Sequence, residues 1–151
     1  MAAEKPFGAP KIEKLGALSV SAVKKVHTTM NPYTWLLLGH FLGDWVLQND
    51  WMARGKRKNL LTLAGVVHFA VYTAVIIGAL WLAGVTDRTP AFYLVFGVIV
   101  FVSHWLIDAT DGVEWWMRFY RQSRLEMVRV MVDQVLHLLV LLVLTVFFVG
   151  V

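Results

Sequence analysis

Three pairs of residues carry the chemistry this chain can do. His40 and Asp44 stand four residues apart, as do His104 and Asp108, and Asp133 and His137 repeat the spacing in reverse order. Residues at i and i+4 lie one above the other on a helix face. Each pair can therefore offer an imidazole and a carboxylate to one point in space. A further imidazole, His68, stands in another apolar run. Neutral imidazole with carboxylate is a ligand set for a divalent metal ion such as Zn, Mn or Fe. The residues expected to hold the ion are His40, Asp44, His104, Asp108 and His137, with His68 and Asp133 as further ligands or as acid and base groups. A bound ion acidifies water and polarises an ester or phosphoryl oxygen, and a carboxylate left off the metal can act as general base.

The elements that must position these residues are apolar. Of 151 residues, 58% are hydrophobic, and the mean hydropathy is +0.64. Both values point to several membrane spans. Four apolar runs, 32–47, 60–83, 91–109 and 128–151, predict an all-α, integral membrane four-helix bundle at 30–151. The first is short for a hydrocarbon core that asks for about 20 residues, and a re-entrant segment is its alternative. Residues 1–29 carry five lysines without a continuous apolar stretch, so they read as a basic tail or a short interfacial helix. His27, in that segment, reads as an ordinary solvated residue.

Two connections, 48–59 and 110–127, are basic. Positive-inside reasoning places both on the cytoplasmic side of a bacterial-type inner membrane, or of an internal membrane. The run Arg54-Gly55-Lys56-Arg57-Lys58 then reads as a loop facing lipid headgroups rather than nucleic acid. Counting about 1.5 Å per residue from those loops puts all seven His and Asp residues within roughly 15 Å of one membrane face. Gln48, Tyr72, Ser103 and Gln134 stand near enough to add hydrogen bonds. Ionisable groups inside a membrane cost about 2.5–3.5 kcal/mol each when charged and mark function by default. Gly39 and Gly43 form a small-xxx-small pair suited to close helix packing within the monomer.

Cysteine is absent, which excludes disulfides, thiolate metal sites and cysteine nucleophiles. No Gly-x-Ser-x-Gly elbow and no phosphate-binding glycine loop occurs. The leading expectation is a metal-dependent hydrolase acting on a lipid-linked or membrane substrate in contact with the bilayer. The same residues fit other classes. His68 and His137 could ligate a haem, or one of them a chlorophyll. His/Asp chains serve proton or ion pathways. A non-catalytic accessory subunit of a larger membrane complex, or a homo-oligomer, would use the pairs as His–Asp hydrogen bonds holding helices together. Asp133 alone could pair locally with Arg129.

His40-Phe-Leu-Gly-Asp44 with Gln48, His68 with Tyr72, His104-Trp-Leu-Ile-Asp108, and Asp133-Gln-Val-Leu-His137 together resemble a four-helix membrane family of bacteria and their phages, a domain of unknown function. The likeness runs from about residue 31 to the C-terminus. It implies a four-helix membrane fold and supplies no activity. The His-x-x-x-Asp spacing is also similar to that of inner-membrane metal-dependent hydrolases, although the chain lacks a Pro-Asp-x-Asp segment.

Overall fold

The computed structural model describes residues 30–56 and 60–150. The basic tail, His27, Arg57 and Lys58 lie outside the described residues. Among the described residues the chain is all-helical. Helix α1 (Pro32–Phe41) begins with the Asn31 side chain accepting from the Tyr33 amide and with Pro32 in the first turn, where its missing N–H costs nothing. It continues as a widened π-helical turn, Leu42–Val46. A short helix α2 (Asp50–Gly55) follows, capped by Asn49. Thr62 caps α3 (Leu63–Leu82), and Thr89 with Pro90 opens α4 (Pro90–Ala109). Helix α5 (Gly112–Phe119) lies in the polar connection, and α6 (Glu126–Leu144) ends in a second π-helical turn, Thr145–Val149.

Three helices are long and apolar enough to cross a membrane: Leu63–Leu82, Pro90–Ala109 and Glu126–Val149. They correspond to the second, third and fourth apolar runs. The first run does not reach that length, because its α-helical part is 10 residues and the π-helical turn adds 5. The two basic connections are not plain loops either, since each contains a helix.

The bundle is divided along its length. Leu36, Ile76, Ala79, Leu80, Phe96, Val100, Leu141 and Leu144 form an apolar core. One or two turns further along each helix, towards the basic connections, the buried residues become polar: His40 and Asp44, His68, His104 and Asp108, Asp133 and His137. Tyr72 joins the two zones, with its ring in the core and its hydroxyl on His40.

Close approach of α1 to α3 depends on glycine. A Cβ at Gly39 would lie 2.8 Å from the Ala79 Cβ, and one at Gly43 would lie 3.1 Å from the Tyr72 ring. The small-xxx-small pair is thus used inside the monomer, as its spacing suggested. Gly39→Ala is expected to lower stability by about 1–3 kcal/mol through overpacking, against the gain of about 1 kcal/mol that helix propensity alone would give. Gly78→Ala, where nothing lies within 4 Å of the added atom, should not destabilise. Unfolding of both variants in detergent measures the difference.

Candidate metal centre

Four side chains converge from three parts of the fold. Asp44 comes from the π-helical turn after α1, His68 from α3, and His104 and Asp108 from successive turns of α4. All four are buried, and one ligand atom from each lies within 4.8 Å of the others. The His68 Nε2 is 3.3 Å from Asp44 Oδ1 and 3.3 Å from Asp108 Oδ2. The His104 Nε2 is 3.8 Å and 3.4 Å from the same two oxygens. The two Nε2 atoms face each other at 3.0 Å. A tetrahedral ion with ligands at about 2.0–2.1 Å would space them by about 3.3–3.4 Å. The donor set and its spacing therefore suit a zinc-like ion.

Around this group several polar atoms have no hydrogen-bond partner among the described residues. They include Asp44 Oδ1, Asp108 Oδ1, His68 Nδ1, His104 Nδ1 and His137 Nε2. Orphaned acceptors are costly in an apolar interior, and a cation at the centre would satisfy the carboxylate oxygens that face it, whereas His68 Nδ1 and His104 Nδ1 belong to the far side of rings whose Nε2 atoms face the centre. The His104 ring is held by Tyr72, whose ring stacks on it at 3.8 Å and 6°.

Lys56 is a member of this site that the sequence reading put with the basic loop. It is 7% exposed. Its Nζ lies 2.6 Å from Asp108 Oδ2, 3.5 Å from Asp44 Oδ1 and 3.5 Å from His68 Nε2. The cause is local. Gly55 packs against Ala64, Thr62 Oγ1 donates to the Gly55 carbonyl at 2.9 Å, and a Cβ at Gly65 would meet the Lys56 Cα at 3.5 Å. These contacts press the end of α2 onto the start of α3 and turn Lys56 inward. Gly55, the last residue of α2, and Gly65, in the first turn of α3, are the sequence signal of this.

His40, expected among the ligands, is placed differently from the four. Its Nδ1 meets the Tyr72 hydroxyl at 3.0 Å and its Nε2 meets Gln134 Oε1 at 2.9 Å. Gln134 in turn donates to Asp44 Oδ2 at 3.0 Å and to Asp133 Oδ2 at 3.1 Å. His68, expected as a further ligand or acid/base group, stands inside the four-atom group. Asp133 and His137 form a second group with Asp44. The His137 Nδ1 lies 2.9 Å from the Asp133 carbonyl, which can only accept. Nδ1 is therefore the donor, and Nε2 carries the lone pair, 3.9 Å from Asp108 Oδ1. Arg129 pairs with Glu126 at 2.9 Å and Glu114 at 3.4 Å. Of the other polar residues singled out, Ser103 bonds its own helix at Val100, and Gln48 Oε1 is buried without a partner among the described residues.

The fold and the site together define an all-helical protein with three membrane-length helices and a buried His/Asp/Lys cluster at one end of the bundle. The chain belongs to the family described as "Protein of unknown function (DUF3307)", whose model matches residues 33–151. Neither the curated proteins nor the solved structures give a match.

Gln134→Leu leaves His40 Nε2 and two carboxylates without their amide, and should lower stability by about 1–3 kcal/mol. Ser103→Ala removes only a bond within one helix turn and should stay within about 0.5 kcal/mol. Denaturation in detergent distinguishes them.

Proposed function

We propose that this protein is a multi-pass membrane hydrolase with one divalent metal ion held by Asp44, His68, His104 and Asp108. The observation that carries this reading is the convergence of those four ligand atoms, with neighbouring separations of 3.0–3.8 Å. Charge supports it. Among the described residues the buried ionic side chains, apart from histidines, are Asp44, Asp108, Asp133 and Lys56. With the four buried histidines neutral and Asp133 ionised, three carboxylates against one ammonium leave two negative charges, which one divalent ion would neutralise. The 3.0 Å between the facing Nε2 atoms suits His68 and His104 to one shared small ion.

An ion there supplies a Lewis acid and an acidified water. The chain's own groups do the rest. His137 takes a proton at Nε2, the lone-pair nitrogen fixed by its bond to the Asp133 carbonyl. Asp133 lines two clefts that lead out of the site, so it can pass that proton on. Lys56 places an ammonium beside the ligand carboxylates, where it offsets charge that develops on a substrate oxygen. His40 orients Gln134, which steadies Asp44. In the membrane, we read α1 with its π-helical turn as the fourth element of the bundle. The basic connections 48–59 and 110–127 then lie on the cytoplasmic side of an inner membrane.

Elemental analysis of detergent-purified protein is expected to give about one Zn, Mn or Fe per chain. The ion should be lost in His68→Ala and His104→Ala and kept in His40→Ala. His137→Gln should keep the ion and lower hydrolysis by about 10²–10⁴. Metal-free protein prepared without chelators would overturn the reading.

A further inference from the structure

The site is reached by two clefts whose linings differ in charge. One, of about 210 Å³, presents Asp108, Asp111, Glu114 and Asp133 with a single cation, Arg129. That excess of carboxylate favours entry of a metal ion and opposes entry of an anion. The other, of about 290 Å³, lies between the π-helical turn after α1 and α6. Its lining holds two cations, Lys56 and Arg129, beside Asp44 and Asp133, and the amides of Gln48 and Gln134. The Gln48 Oε1 is buried without a partner among the described residues. Trp45 and Val130 also line this cleft, at 52% and 40% exposure.

Two cations and two amides beside two carboxylates, next to exposed apolar side chains, give this cleft the donors for an anionic head that the acidic cleft lacks and a surface for an apolar tail. Lysine and arginine are the usual partners of phosphate oxygens. A guanidinium carries five donors, and although each nitrogen of Arg129 already meets Glu126 or Glu114, with side chains 79% and 41% exposed, a phosphate can share the remaining N–H groups. Trp45 is suited to the boundary between headgroup and chain. Resting on the hydrolase reading, we propose that this cleft binds the phosphate head of a membrane lipid, with the phosphate near Lys56 and Arg129 and the chain against Trp45 and Val130. In this proposal the substrate would enter between the π-helical turn and α6 with its chain still in the bilayer.

The test titrates metal-assayed full-length protein in detergent with dihexanoyl phosphatidic acid, dihexanoyl phosphatidylcholine and inorganic phosphate, read by calorimetry. Phosphatidic acid is expected to bind at least about tenfold more tightly than either comparison ligand. Trp45→Ala should weaken phosphatidic acid by about tenfold and leave inorganic phosphate unchanged, since only the lipid has a tail to lose. Val130→Ser, at a second exposed position, should act in the same direction if Trp45→Ala does not fold. Arg129→Met should weaken both phosphates. Equal binding of phosphatidic acid and inorganic phosphate would assign the cleft to free phosphate and overturn the lipid proposal. Indifference to all three ligands by metal-loaded protein would overturn it too. Absence of metal from the same samples would instead overturn the hydrolase reading.

Discussion

The structure depends on how three carboxylates are held inside an apolar bundle. Asp44, Asp108 and Asp133 are all buried. Left alone, each would cost several kcal/mol of desolvation. The neighbouring groups can be understood as answers to that cost. Lys56 reaches in from α2 to Asp108 and Asp44. Gln134 lends its amide to Asp44 and Asp133. His68 and His104 bring their Nε2 atoms to Asp44 and Asp108. The Lys56 ammonium, 2.6 Å from Asp108 Oδ2 and 3.5 Å from Asp44 Oδ1 and His68 Nε2, stands among the same atoms and offsets part of the carboxylate charge.

Packing makes this convergence possible. Gly39 lets α1 lie against α3 where a Cβ would clash with Ala79, Gly43 lets the following turn lie tight against Tyr72, and the apolar core at the other end of the bundle holds the helices in that relation. The π-helical turn at Leu42–Val46 then separates two residues that a regular helix would have aligned. The Leu47 amide bonds to the Leu42 carbonyl, five residues back, and the wider turn rotates Asp44 relative to His40. Asp44 joins His68 and Asp108, while His40 joins Tyr72 and Gln134. One His-x-x-x-Asp pair is thereby divided between the centre and its support. The other, His104 with Asp108 on regular helix, stays together.

The two clefts give the site a direction. Arg129 and Asp133 belong to both, so α6 forms the wall between an acidic approach and a mixed, partly apolar one. In the proposed reading, separate routes would bring a soluble ion and a membrane substrate to the same side chains without requiring either to cross the other's path. Residues of α5, including the exposed Trp115, Trp116 and Phe119, lie beyond the acidic cleft and suit the interface where such a protein meets headgroups.

Much of this was legible from local pattern. Long apolar runs determine membrane-length helices, because hydropathy and length are properties of a single segment. The spacing of His104 with Asp108 and of Asp133 with His137 determines that each pair shares a helix face. Counting residues from the basic connections was enough to expect all seven His and Asp side chains at one end of the bundle. Only the tertiary structure decided which atoms meet. Lys56 could not be told from Arg54 by composition, since its inward turn comes from Gly55 packing on Ala64 and Thr62 closing onto Gly55. That His68 stands in the four-residue group while His40 meets Tyr72 and Gln134 follows from a widened turn and from the rotation of α1 against α3. Spacing along one helix leaves its rotation and axial offset relative to a neighbour undetermined, and those two quantities select ligands from candidates.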